Sequence, residues 1–338
     1  MAEDLYLVLT PRERLEVLDA AARQLGVAAS ILEKDYWVCR TLGALFALPE
    51  LGEHLVFKGG TSLSKAYRLI DRFSEDVDVS LHREFLGFGP PAEPEAAAGK
   101  EQRRRLEALQ EACTKTIHVR LRPALAASMH QQLGEETAWS IEIDAEDPQT
   151  LLFYYPQAGA ASLAYIQPSV RIEFGARSDR WPSEPQKIRS YLSEALNQPL
   201  GQATVQTLAA ERTFWEKATL LHAEAHRDPG QSMPARYARH YHDLARMALS
   251  PVAERALADV ELRKRVVTHK SVYFRSAWAR YDLAVPATFR LLPPPARRAE
   301  LIHDHQSMKQ MFFRPPPEIN EVLKTLERLE EKIRSCPP

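Results

Sequence analysis

Asp76 and Asp78 stand two residues apart in Ser74-Glu75-Asp76-Val77-Asp78-Val79-Ser80-Leu81. The alternation predicts a strand with Asp76, Asp78 and Ser80 on one face and Val77, Val79 and Leu81 on the other. Two carboxylates side by side repel each other and are costly at a sheet surface. A divalent cation removes the conflict: Mg²⁺ is a hard ion that takes one or two carboxylates and is often completed by substrate phosphates. Upstream, Gly59-Gly60-Thr61-Ser62 follows the apolar run Leu55-Val56-Phe57. Glycines let the backbone approach a phosphate closely, and the helix N-terminus that follows offers free N–H groups to an anion. A phosphate cradle followed by an Asp-x-Asp strand is the equipment of nucleotidyl transfer. Each part alone is commonplace, a turn or a solvated strand face; the order of the parts carries the signal. The turn is not a P-loop, because Lys58 precedes the glycines.

These residues need a frame. Leu63, Ala66, Tyr67 and Ile70 share a helical face and predict a helix over 63–70. Alternating stretches at 139–144, 150–155 and 169–174 are further strand candidates. With the strands at 55–57 and 76–81 they predict a mixed sheet flanked by helices, an α/β fold. A two-metal site needs a third carboxylate, since the second ion sits only about 3.5–4 Å from the first. Glu173 is the preferred candidate, with Glu142 and Asp144 as runners-up; an exposed strand residue is the plain alternative for each.

Ahead of this core, residues 11–47 read as two helices, and Glu33-Lys34-Asp35-Tyr36 lies on the second. The plain reading of that run is a charged helix face; the other is that Lys34 or Tyr36 borders a nucleotide pocket. Residues 85–100, rich in Gly, Pro and Ala, read as a loop, and 102–133 as helical. Pro182–Pro185 suggests a boundary, dividing the chain into a core at 1–190 and a helical domain at 191–338. In the latter, helices are expected at 208–226, 236–247 and 317–334. Lys217 sits on an otherwise apolar helix, where a lysine commonly snorkels. Basic residues run through 263–298, interleaved with Tyr273, Phe274, Trp278 and Tyr281. The mixture suits single-stranded RNA, though aromatics at helical spacing also make core.

The chain has 338 residues, 45% apolar and 26% charged, the composition of a globular protein. Its net charge of −1 is unevenly spread: residues 209–338 carry 22 Lys+Arg and 16 Asp+Glu, a balance of +6 against −7 for the rest. The C-terminal part is therefore the better candidate for touching a polyanion. Three cysteines without metal spacing, no signal segment and no long apolar run predict a cytoplasmic protein without membrane segments. His226, His240 and His242 lack zinc-binding spacing.

The runs Phe57-Lys58-Gly59-Gly60-Thr61-Ser62-Leu63-Ser64-Lys65-Ala66-Tyr67 and Arg72-Phe73-Ser74-Glu75-Asp76-Val77-Asp78 resemble the AbiEii/AbiGii nucleotidyltransferase toxins of the DNA polymerase β-like superfamily. Glu211-Arg212-Thr213-Phe214-Trp215-Glu216-Lys217 and Arg239-His240-Tyr241-His242-Asp243-Leu244 extend the likeness. The resemblance implies a polymerase-β-like sheet with a C-terminal helical lobe. It implies an NTP substrate bound by Gly59, Gly60, Thr61, Ser62, Lys65 and Lys217. It places Mg²⁺ (or Mn²⁺) at Asp76 and Asp78, and an acidic residue, Asp243, by the active site. It also implies a toxin whose acceptor is RNA, in some members the 3′ end of tRNA, with a cognate antitoxin. A nucleotidyltransferase acting on an antibiotic or a protein, and a silent binding module, are the other classes.

Overall fold

The computed structural model describes residues 4–134, 138–160, 167–228 and 230–337. The chain forms two compact units. The first comprises residues 1–66 and 73–208; the second comprises 67–72 and 209–338.

A seven-stranded sheet organises the first unit. Its strands are β1 (Leu55–Lys58), β2 (Val77–Leu81), β3 (Ser140–Ile143), β4 (Thr150–Tyr154), β5 (Ser169–Gly175), β6 (Ser183–Arg189) and β7 (Gln202–Leu208). Their order is β3-β4-β5-β2-β1-β7-β6. The pairs β2–β5 and β1–β7 are parallel and the others antiparallel, so the sheet is mixed. The central strands are the most apolar, as strands covered on both faces must be. Leu55, Val56 and Phe57 are fully buried, as are Val77, Val79 and Leu81. The Ala29–Phe46 helix packs along β7 and β5. Its Trp37 stacks on Tyr155 at 5.7 Å and meets the edge of Phe153 at 5.8 Å. At Gly43 the helix comes so close to β7 that an added Cβ would lie 3.2 Å from that of Ala203.

Two expectations are corrected here. The chain beyond Pro185 does not turn helical at once: β6 and β7 extend the sheet first. β6 reads Ser-Glu-Pro-Gln-Lys-Ile-Arg, with a proline and three charges, which is the composition of a protected edge strand and not of a central one. The helix predicted over 63–70 instead spans Gly59–Lys65, and Arg68 takes a left-handed φ of 53°. Residues 67–72 belong to the second unit, so the apolar spacing of 63–70 serves two different cores.

The second unit is helical. Its main elements are Ala210–Ala225, Ala238–Ala248, Pro251–Ala258, Val260–Tyr273, Arg298–Ser307 and Ile319–Arg334. Phe214, Trp215, Leu221, Tyr241, Leu244, Met247, Val266 and Leu326 fill its core. Much of the basic band at 263–298 is internal: Arg263, His269, Tyr273 and Arg297 are buried, and Arg297 sits against Glu224. Lys264, Arg265, Arg275, Arg290 and Arg298 remain exposed, with Trp278. Among the described residues no helix is long and apolar enough to cross a membrane.

Candidate active site

In the first unit the glycine turn and the Asp-x-Asp strand meet directly. β1 and β2 pair so that Lys58 lies opposite Asp78, and Lys58 Nζ is 3.9 Å from Asp78 Oδ1. Gly59 has a left-handed φ of 79°, and a Cβ there would overlap the Asp78 carboxylate. Only glycine meets both demands, the conformation and the space. Thr61 Oγ1 donates to the Asp76 carbonyl and lies 2.9 Å from Ser74 Oγ. Ser62 Oγ donates to the Gly59 carbonyl at 2.8 Å. Both hydroxyls therefore hold the turn in shape. Asp78 is half-buried, a carboxylate set on a rigid strand between a lysine and a glycine.

β5 runs beside β2 with Glu173 opposite Asp78. Arg171 Nε donates to Glu173 at 2.9 Å, and Arg171 also pairs with Asp144. Glu142, on the edge strand β3, instead accepts from Ser140 Oγ at 2.9 Å. Of the three candidate carboxylates, Glu173 alone lies on the strand next to Asp78. Among the described residues no three His, Cys, Asp or Glu side chains cluster closely enough to hold a metal by themselves. Asp76 and Asp78 are oxygen donors of the type Mg²⁺ takes, one or two carboxylates with water and phosphate completing its shell.

Lys65 is buried, paired with Asp35 and 3.2 Å from the centre of the Tyr191 ring.

A second constellation lies in the helical unit. Lys217, from the Ala210–Ala225 helix, donates to Asp243 Oδ2 at 2.8 Å; Asp243 is on the adjoining Ala238–Ala248 helix. Arg72 grips both oxygens of the same carboxylate, at 2.8 and 2.7 Å. All three side chains are buried. Burial opposes the charge on Asp243, but Arg72 and then Lys217 outweigh it and hold the carboxyl well below its usual range. His240 Nδ1 lies 3.4 Å from Lys217 Nζ. Burial first, then the charges of Lys217 and Arg239, push this imidazole well below its ordinary value, so it is neutral. Burial likewise pulls the Lys217 amine down, against the attraction of Asp243. Two cations thus share one carboxylate inside the unit.

Sequence reasoning named Lys217 and Asp243 but passed over Arg72. Its signal was slight: an arginine four residues before Asp76, whose partner lies 171 residues away. The Glu33-Lys34-Asp35 run is no charged surface face, because all three side chains are buried and paired across the first unit.

Comparison with protein families matches residues 40–333 to the family described as "Nucleotidyl transferase AbiEii toxin, Type IV TA system". The match begins just after the Glu33–Trp37 run. Comparison with curated proteins finds no match. Among solved structures, the chain is similar to MenT4, a nucleotidyltransferase toxin from Mycobacterium tuberculosis H37Rv. The two are 19% identical with a TM-score of 0.45, over 94% of this chain and 97% of that one. The family match spans most of the 338 residues and contains the glycine turn, the Asp-x-Asp strand, Lys217 and Asp243; the chain belongs to the AbiEii family of nucleotidyltransferase toxins of type IV toxin–antitoxin systems.

Proposed function

We propose that this nucleotidyltransferase moves a nucleoside monophosphate from an NTP to a hydroxyl of RNA, the 3′ end of a tRNA, with Asp76 and Asp78 holding Mg²⁺ or Mn²⁺. The observation that carries the reading is the direct apposition of the Gly59 turn to the Asp78 carboxylate, with Glu173 opposite on β5. A metal bound there would neutralise triphosphate charge and orient the phosphates. The chain's own residues do the rest. The glycine turn admits a phosphate to within hydrogen-bonding reach of the backbone. Lys58 Nζ lies 3.9 Å from Asp78, and Glu173, the candidate third carboxylate on the adjoining strand, would have to release Arg171 to join a metal site. Lys217 offers a compact ammonium to the phosphates while Asp243 and Arg72 fix its position. The acceptor hydroxyl attacks the α-phosphate, the bond to the bridging oxygen breaks, and pyrophosphate leaves. Positioning and charge neutralisation supply most of such catalysis.

An RNA acceptor is supported by the exposed Lys264, Arg265, Arg275 and Arg298 together with exposed Trp278. Basic groups track the phosphate backbone and an indole stacks on a base. Membership of a type IV system implies a cognate antitoxin; a winged-helix DNA-binding protein is the expected kind.

The test is incubation of the protein with each radiolabelled NTP and total RNA. Label is expected in the tRNA fraction with one NTP preferred. EDTA is expected to abolish it and Mg²⁺ to restore it. Asp76→Ala and Asp78→Ala are each expected to be inactive yet folded by circular dichroism. Label entering protein or small molecules instead of RNA would reject the acceptor, and full activity of either variant would reject the metal site.

A further inference from the structure

The Ala29–Phe46 helix carries two consecutive buried charges that the reaction as proposed does not use. Lys34 Nζ donates to Glu75 Oε2 at 2.6 Å and to the Gln167 carbonyl at 3.0 Å. The side chains of this pair are 3% and 9% exposed. Its neighbour Asp35 pairs with Lys65, at 1% and 3% exposure, and accepts from the Tyr191 N–H at 2.6 Å. The partners are placed tellingly. Glu75 immediately precedes Asp76, and Lys65 is the last residue of the helix that opens with Gly59-Gly60. One helix therefore holds the entry to the Asp-x-Asp strand with one residue and the far end of the phosphate turn with the next.

Buried ion pairs are weak sources of stability, because desolvation offsets much of their attraction; their best-attested use is to specify register. Apolar side chains would bind this helix to the sheet as well: Leu32, Trp37, Val38 and Leu42 are buried, and Trp37 packs on Phe153 of β4. What apolar packing does not supply is a fixed length and direction. A 2.6 Å charge-assisted bond does. β2 begins only at Val77, so Glu75 and Asp76 lie just ahead of the strand. Thr61 adds a third tie, donating to the Asp76 carbonyl from inside the turn helix.

We propose that Lys34 and Asp35 are positioning residues for nucleotidyl transfer: through Glu75 and Lys65 they set the Asp76–Asp78 strand and the Gly59-Gly60 turn in register with one another. This rests on the assignment of Asp76 and Asp78 as metal-holding residues. The two contacts have separable consequences. Loss of the Lys34–Glu75 tie displaces the carboxylates, which act in the chemical step. Loss of the Asp35–Lys65 tie displaces the turn, which acts in nucleotide binding.

The experiment uses Lys34→Met combined with Glu75→Leu, which removes both charges of the pair together. It adds Lys34→Arg and Asp35→Asn, with Asp76→Ala as reference. Thermal melting, kcat and KM with each radiolabelled NTP and total RNA are read for all. Mn²⁺ affinity is read by electron paramagnetic resonance with a non-hydrolysable ATP analogue. The double variant is expected to melt near the parent, to lose about 10²-fold in kcat, the cost of a misplacement of about 1 Å, and to bind Mn²⁺ more weakly at little-changed KM. Lys34→Arg should recover part of both. Asp35→Asn should raise KM with kcat largely kept. A folded double variant with parental kcat and Mn²⁺ affinity overturns the proposal while an inactive Asp76→Ala leaves the metal assignment standing. An active Asp76→Ala overturns both. Should the double variant not fold, Lys34→Arg decides: weaker Mn²⁺ binding at a parental melting point supports the proposal, and parental Mn²⁺ binding rejects it.

Discussion

At the scale of single residues, the Asp243 carboxylate explains most about the helical unit. It is fully buried, gripped by Arg72 and bonded to Lys217, so it stays ionised at neutral pH. The role proposed for it is to position Lys217. Lys217→Ala is expected to lower transfer by about 10²-fold or more, the range for loss of one preorganised electrostatic donor. Lys217→Arg should rescue only in part, because a planar fork does not replace a point charge; single-turnover rates check both. Asp243→Asn should destabilise the protein by roughly 3–5 kcal/mol at pH 7, since it strands buried cations. The pH dependence follows from the direction of the shift. A carboxyl whose folded pKa is depressed contributes stability that is fully present above its unfolded pKa, about 3.9, and lost as pH falls through the folded value. The gap in unfolding free energy between parent and Asp243→Asn should therefore be widest at neutral pH and narrow below about pH 4, as denaturant melts at several pH values would show.

At the scale of elements, the Ala29–Phe46 helix matters most to the first unit. It lies on β7 and β5 and carries Trp37 into an aromatic group with Tyr36, Phe153 and Tyr155. Trp37→Ala removes the largest side chain of that group. It is expected to cost about 3–5 kcal/mol, seen as a lower urea midpoint with an unchanged slope. The strands divide by where they lie. Central β1 and β2 read as apolar runs or clean alternation, because both pack against covered faces. Edge β6 carries Pro185, Glu184, Lys187 and Arg189, and its paired backbone, not its side chains, makes it a strand.

At the scale of the whole molecule, the chain is a toxin of a type IV system, and its activity should be visible in growth. Expression in a bacterial host is expected to slow growth, and the Asp76→Ala protein, equally soluble, is expected not to. A growth curve matching the empty vector with soluble protein present would reject toxicity in that host. Charge is arranged at this scale too. The balance of +6 over residues 209–338 survives in the structure as exposed Lys264, Arg265, Arg275 and Arg298, after Arg263 and Arg297 are spent on internal contacts. RNA affinity should accordingly weaken with added salt, by the logic of released counterions.

The sequence alone determined whatever depends on neighbours in the chain. Alternation around Asp76 and Asp78 defined β2, Gly59-Gly60 defined the turn, and the apolar spacing of 210–225 and 238–248 defined the helices bearing Lys217 and Asp243. Those are local consequences of periods of two and of 3.6 residues. Strand order, which no local period reveals, sets β5 beside β2 and so puts Glu173, of the three candidate carboxylates, opposite Asp78. The end of the turn helix at Lys65, the grip of Arg72 on Asp243 and the ties from Lys34 and Asp35 had little or no local signal. Their partners lie 41 to 171 residues away for Lys34–Glu75 and Arg72–Asp243, and a charge read in sequence carries no sign of whether it will meet water or another charge. Only the tertiary structure decided that, because burial makes an unpaired ion so costly that every interior charge must find its partner wherever the fold brings one.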